Sequence, residues 1–127
     1  MTKVVLVNRY YFPDASATSQ MLTDLAEHLA RQKVEVHIVT SRMRSDDPAA
    51  AQRKFEVING VIVHRIFTST FGRSRLRGRF LDYASFHLAA LPQLLRLVGK
   101  GDILVAKTDP PLISITCALV ARLKGAA

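Results

Sequence analysis

Apolar and polar positions divide the chain into alternating strands and helices. The opening run Val4–Val7 is apolar throughout, which predicts a buried strand. After a polar loop, apolar residues recur at spacings of three and four and predict an amphipathic helix. The apolar positions of this helix are Leu22, Leu25, Ala26 and Leu29. A second strand is predicted at 34–40, and this order of elements is typical of the start of an α/β domain.

The second half of the chain predicts a hairpin, two helices and one more strand. The Asn59–Gly60 pair between two β-rich runs is the strongest hairpin signal. A long helix comes next, which we expect to kink at Pro92 and to end at the Gly99–Gly101 turn. Its apolar positions are Phe80, Tyr83, Leu88, Leu91, Leu95 and Val98. Residues 102–106 predict a short buried strand, and a last helix is expected to stop at Gly125.

These elements predict a Rossmann-like, doubly wound fold whose sheet is mainly parallel and includes a β-hairpin. If the strands follow the common order 3-2-1-4, the strand at 102–106 lies beside the first strand. The loops that leave these two strands, residues 8–20 and 107–111, then face each other at the edge where such sheets bind ligands. The first loop contains no glycine, so an ordinary NAD site is not expected.

Composition limits the class of protein. The 127 residues are 49% hydrophobic, which is enough for one folded domain over residues 1–127 and argues against disorder. No apolar run is long enough to span a bilayer. Cys117 is the single cysteine, so no intramolecular disulfide is possible, as is typical of a cytoplasmic protein. Its apolar helical surroundings predict a buried, inert thiol.

The formal charge of +8 is concentrated in a basic loop. Its four arginines are Arg73, Arg75, Arg77 and Arg79. Such a block is suited to anionic lipid headgroups, nucleic acid or phosphorylated ligands. It is equally typical of a solvated connector, and both interpretations stay open.

The first loop carries polar side chains that suit an anion or a saccharide. Ser16, Thr18 and Ser19 would offer hydroxyls, together with free helix N–H groups, to a phosphate, or they would simply cap the helix. Asp14 would contact acceptor hydroxyls or form part of a turn after Pro13. The aromatic run 10–12 would stack on a sugar or pack under the loop.

The second loop offers one carboxylate and one cation. Asp109 precedes two prolines, which hold its backbone out of the helical region. Its carboxylate would orient an acceptor hydroxyl or take its proton as a catalytic base, or it would cap the last helix. Lys107 would neutralise a phosphate or remain solvated. The four histidines have no metal-ligand spacing, so no metal site is expected.

Taken together, four segments resemble the GT-B glycosyltransferases of family four, the group 1 nucleotide-sugar transferases. The segments are residues 4–40, the hairpin 58–66, the helical stretch 79–86 and the strand with its exit loop at 101–114. Within that family they are most similar to enzymes of colanic-acid and other exopolysaccharide biosynthesis. The resemblance covers nearly the whole chain, in the right order.

The resemblance implies the N-terminal, acceptor-side domain of a membrane-associated hexosyltransferase. A nucleotide diphosphate sugar would be the donor and a lipid-linked or growing saccharide the acceptor, with retention at the anomeric carbon and no tightly bound cofactor. Donor phosphate oxygen can accept the proton in that mechanism, so a protein base is not obligatory. The C-terminal nucleotide-sugar-binding domain is expected to be missing here, which would make this fragment inactive alone. The sugar, base, acceptor and linkage are not indicated.

Two departures from the family pattern weaken part of this transfer. Many relatives carry glycines in the first loop, where this chain has 14–20 DASATSQ, and a histidine after the fourth strand, where it has 107–111 KTDPP. An alternative is a stand-alone basic module that binds nucleotide or RNA, which the pI of about 10.3 favours. Only Phe71 and Phe80 flank the arginines, and RNA recognition usually needs more aromatic residues, which argues against nucleic acid.

Overall fold

The computed structural model describes residues 3–12, 17–42, 54–66, 76–107 and 112–127, with the side chains of Thr18 and of 76–79 left undescribed. Five strands and three helices are found in this part of the chain. They are β1 (Lys3–Val7), α1 (Ala17–Arg31), β2 (Glu35–Ser41), β3 (Phe55–Ile58), β4 (Val61–Ile66), α2 (Leu76–Leu97), β5 (Ile103–Ala106) and α3 (Ile113–Lys124). The fold is therefore a small α/β domain.

The five strands form one mixed sheet in the order β3-β4-β2-β1-β5. Four neighbouring strands are parallel, and β3 runs antiparallel to β4. The adjacency that follows from the assumed strand order is found, because β1 lies between β2 and β5. The hairpin is confirmed as well: Asn59 and Gly60 both have positive φ, at 50° and 82°, as a two-residue turn between twisted strands requires.

Helix α1 covers one face of the sheet. Leu22 and Ala26 are fully buried there against Leu6 and Ile38, and Leu29 packs at the margin. The expectation for Leu25 is wrong, because its side chain is 43% exposed. Because a helix has about 3.6 residues per turn, Leu25 lies to one side of the stripe formed by Leu22, Ala26 and Leu29. Only a narrow stripe of the helix faces the strands.

Helices α2 and α3 cover the other face, and the stripe that α2 buries matches the expected one only in part: Leu91, Leu95 and Val98 pack against the core as expected. Its buried residues recur every four positions, at Phe86, Ala90 and Leu94. The predicted core positions Phe80 and Leu88 are 63% and 74% exposed. Leucine and alanine occur on several sides of α2, so apolar spacing alone does not define which side meets the sheet. The helix continues through Pro92, as one element to Leu97.

Strand β5 lies at the edge of the sheet, and the expectation that it is buried is wrong. Ile103 is 43% exposed, and the other three residues are half-buried. An apolar sequence predicts burial on both faces only for a strand with neighbours on both sides. The backbone of Ala127 meets this edge, where its N–H donates to Asp102 O at 2.8 Å and its carbonyl accepts from Leu104 N–H at 2.9 Å.

Both ends of α3 are formed by residues with a left-handed backbone. Leu112 occupies the N-cap with a left-handed φ of 64° and no side-chain capping bond. The interpretation of Asp109 as the N-cap of the last helix is therefore wrong, because Leu112 occupies that position. At the other end Gly125 is the expected stop, with φ 70° and its N–H donated to Ala121 O.

The basic segment is not a loop over its whole length. Helix α2 begins at Leu76, so Arg77 and Arg79 belong to its first turn, while Arg73 and Arg75 lie outside the described residues. Within the described part of the chain, no helix is both long and apolar enough to cross a bilayer.

Candidate functional site

The two candidate loops leave the sheet at the same edge. Val7, the last residue of β1, is the register partner of Ala106, the last residue of β5. The backbone N–H of Lys107 donates to Val7 O at 3.0 Å, and that of Asn8 donates to Val39 O at 3.2 Å. The exits of β1 and β5 are therefore adjacent, at the point where the strand order reverses direction.

The aromatic run at the start of the first loop divides between packing and exposure. Tyr11 is 1% exposed and packs into the core under α1, and Tyr10 is also buried. The guanidinium of Arg9 lies over the Tyr10 ring at 4.8 Å and over the Tyr83 ring at 5.3 Å. Phe12 is 46% exposed. Phe12 is thus the member of the run whose ring is accessible from solvent.

Three hydrogen bonds, donated by side chains or by a neighbouring strand, hold the backbone carbonyls of residues 9–12. The buried Asn8 side chain donates from Nδ2 to Tyr10 O at 2.8 Å. The N–H of Ser41, at the end of β2, donates to Arg9 O at 3.0 Å. Arg65 Nη2, from β4, donates to Phe12 O at 2.9 Å. The beginning of the loop is therefore anchored to two strands of the sheet, to β2 through Ser41 and to β4 through Arg65.

Arg65 is a site residue that sequence reasoning missed. It is the register partner of Thr40, and its side chain is 1% exposed. Its Nη1 donates to a carboxylate oxygen of Glu56, on the neighbouring strand β3. The signal was present in the alternation of β4, since Val61, Val63 and Arg65 share one face and the first two are fully buried.

The start of α1 accounts for the predicted hydroxyl residues in different ways. The helix begins at Ala17, so Thr18 lies within the first turn and not at the N-cap. Ser19 is fully buried and its carbonyl accepts from Thr23 Oγ1 at 2.7 Å. Asp14 and Ser16 lie outside the described residues.

The second loop is described only at its first residue. Lys107 is half-buried at the end of β5, with the backbone bond to β1 already noted. Asp109 lies outside the described residues. The structure therefore brings Lys107 next to the base of the first loop, and the contacts of Asp109 stay a prediction.

A groove with a volume of about 350 Å³ runs along α1 from the first loop toward the hairpin turn. Its lining residues are Phe12, Gln20, Thr23, Asp24, Glu27 and Asn59. Asn59 Nδ2 donates to Glu27 Oε2 at 2.8 Å and closes one end. The groove combines one aromatic ring with carboxylate and amide oxygens, which is chemistry that suits a hydroxylated ligand.

A pair of histidines occupies the opposite face of the sheet. His37 Nδ1 and His64 Nε2 are 2.9 Å apart, and their rings are stacked. Gln93 of α2 lies 3.4 Å from His64 Nδ1, and Glu35 lies 3.4 Å from His37 Nε2. The pKa of His64 is lowered to about 4, mainly because its ring is partly buried and to a smaller extent because His37 is nearby. No local pattern of residues predicted this pair.

The remaining candidates have structural roles. His87 Nδ1 and Thr116 Oγ1 are 2.7 Å apart and join α2 to α3. Cys117 is buried as expected, and burial raises the pKa of its thiol to about 12. Among the described residues, no group of three or more His, Cys, Asp or Glu side chains is arranged to hold a metal ion.

Comparison with known proteins gives no independent guide to this site. No protein-family model matches the chain, and a search of characterised proteins finds no significant relative. The function therefore has to be inferred from the residues and their geometry.

Proposed function

We propose that the chain is the N-terminal, acceptor-side domain of a nucleotide-sugar-dependent glycosyltransferase with a GT-B fold. The observation that carries this proposal is the adjacency of the β1 and β5 exits, seen in the pairing of Val7 with Ala106. The strand order supports the proposal, because the exits of β1 and β5 lie at one edge and the resemblance to family-four transferases expects both polar loops there.

The acceptor would lie on this edge, with its reacting hydroxyl between the two loops. Phe12 would stack against a sugar ring, and Asp14 would accept hydrogen bonds from acceptor hydroxyls. Lys107 would approach the donor phosphates, with the hydroxyls and N–H groups at the start of α1 as further anion contacts. Asp109 would orient the acceptor hydroxyl. Transfer would retain the anomeric configuration, on the cytoplasmic side of the membrane.

The test is an assay of the protein translated from the complete reading frame. It is incubated with a panel of nucleotide diphosphate sugars and saccharide or lipid-linked acceptors, and release of nucleoside diphosphate is followed. The proposal expects acceptor-dependent release with one donor, and a product whose anomeric configuration matches that donor. Residues 1–127 alone are expected to show no turnover, because catalysis requires donor and acceptor to be held together. Turnover by this segment alone would contradict the proposed division of roles.

A further inference from the structure

A buried guanidinium, that of Arg65, attaches the β1–α1 loop to the sheet. Arg65 projects from β4 on the same face as Val63, whose register partner is Ile38. The row before it, made of Leu6, Ile38 and Val63, is fully buried and apolar. An apolar side chain at 65 would continue this row without the free-energy cost of removing a guanidinium from water.

Two contacts explain the guanidinium at this position. Glu56 on β3 supplies the opposite charge, and its side chain remains 33% exposed, so it keeps part of its hydration. The other contact is the carbonyl of Phe12, 53 residues away in sequence. The planar guanidinium can serve both at once, because its two terminal nitrogens point in fixed, separate directions.

The bond to Phe12 occurs at the last described residue before 13–16. The preceding carbonyls, of Arg9 and Tyr10, already accept from Ser41 N–H and from the Asn8 side chain. Tyr11 is buried in the core under α1. Among the described residues, the Arg65 bond is therefore the last sheet contact before 13–16, and it holds the carbonyl of Phe12, whose side chain lines the groove.

We infer that Arg65 is a positioning residue: with Glu56, it holds the Phe12 carbonyl so that the loop stands in one place for its ligand. That the ligand is a saccharide acceptor rests on the proposed function. The positioning itself does not, because it concerns the backbone of residues 9–12 and can be measured without substrate.

The first measurement is hydrogen exchange of the full chain, followed by mass spectrometry. The variants are Arg65→Met, which keeps the apolar stem, Arg65→Lys, which keeps the charge, and Glu56→Gln. Arg96→Met, at an exposed position on α2, is the matched control. Loss of a hydrogen bond to a charged group should speed exchange in residues 9–17 about tenfold in Arg65→Met, with β2 unchanged. Arg65→Lys and Glu56→Gln should fall between Arg65→Met and the wild type.

Two results would overturn the inference. Unchanged exchange of residues 9–17 in all three variants would show that the bond does not hold the loop. A uniform increase through β1, β2 and β4 in all three would show that the ion pair supports the whole sheet instead. If Arg65→Met does not fold, Arg65→Lys and Glu56→Gln decide between these results.

The second measurement separates positioning from the proposed reaction. In an active transferase, Arg65→Lys should raise KM for the acceptor several-fold and leave kcat within about twofold, because the loop binds and does not react. Equal loss in kcat and kcat/KM would contradict a positioning role. Loop exchange that changes as expected, in a protein with no transferase activity under any condition, would retain the Arg65 inference and reject the glycosyltransferase.

Discussion

The fold lowers the pKa of two buried or partly buried groups, Asp102 and His64. Burial alone would raise the pKa of Asp102, but the carboxylate pairs with Lys3 Nζ at 2.8 Å and accepts from the backbone N–H groups of Lys3 and Gly99. These contacts outweigh burial and hold the pKa of Asp102 at about 2. The pKa of His64 is also lowered, to about 4, because its buried ring sits beside His37. The folded state thus disfavours protonation at both positions.

The first prediction concerns stability between neutral pH and pH 4. Unfolded His64 takes up a proton near its ordinary pKa of about 6.5, while the folded form resists until about 4. Its contribution to stability is therefore complete above pH 6.5 and is lost as the pH falls toward 4, with a slope of at most about 1.4 kcal/mol per pH unit. Urea unfolding of His64→Gln should show a shallower decline in this window.

The exposed residue His28 provides the control for that experiment. His28→Gln should leave the pH dependence of the wild type almost unchanged. An identical decline for wild type and His64→Gln would contradict the role assigned to the buried pair. Below pH 3.8 a second loss is expected in all three proteins, as Asp102 becomes protonated on unfolding.

At the scale of elements, the sequence predicted most of what local patterns determine. The Asn59–Gly60 turn, the end of α3 at Gly125 and the alternation of strands and helices all follow from local chemistry. The buried face of α2 followed only in part, because its apolar residues lie on several sides and contact with the sheet selects among them. The exposure of β5 also depends on strand order, which no single segment encodes.

The second prediction tests the face that α2 buries. Phe86 is fully buried in the core beneath α2, and Phe80 in the same helix is 63% exposed. Phe86→Ala should cost about 3–5 kcal/mol of unfolding free energy, since it leaves a cavity in a packed core. Phe80→Ala should change it by about 0.5 kcal/mol or less. Chemical denaturation of the matched pair gives both values, and a larger loss for Phe80→Ala would favour the stripe expected from sequence.

For the candidate site, the sequence predicted its two loops but not its anchors. Loops 8–20 and 107–111 were selected because their polar residues follow apolar strands, and the strand order brings their beginnings together. Arg65 was missed because the residue that it contacts in the first loop, Phe12, lies 53 residues away in sequence. The histidine pair was missed for the same reason, since 27 residues separate its members.

At the scale of the whole molecule, basic charge and apolar exposure occur together at the start of α2. Arg77 and Arg79 belong to its first turn, and the adjoining Phe80 and Leu81 are 63% and 56% exposed. Basic residues next to exposed apolar ones are typical of proteins that dock on anionic bilayers. A lipid-linked acceptor would place the proposed transferase at such a surface.

The third prediction follows from this combination. Changing Arg73, Arg75, Arg77 and Arg79 to serine should abolish most binding to anionic vesicles, because each basic residue near such a surface contributes about 1 kcal/mol. Binding of the unchanged protein should weaken as salt rises, since screening shortens the reach of these charges to about 8 Å at physiological ionic strength. Co-sedimentation measures both effects. Equal binding of both proteins, or equal binding to neutral and anionic vesicles, would leave the segment as a solvated connector.

In the proposed transferase the exits of β1 and β5 form the acceptor side of the sugar-transfer site, and steady-state kinetics of that transferase test this assignment most directly. Lys107→Ala and Asp109→Asn are compared with Lys100→Ala, an exposed control at the opposite end of β5. We predict that the two site variants lose about tenfold or more in kcat/KM, equivalent to about 1.4 kcal/mol, and keep the melting temperature of the wild type. The control variant should match the wild type in both measurements. Wild-type kinetics in both site variants, or the absence of transfer from every nucleotide sugar, would contradict the account.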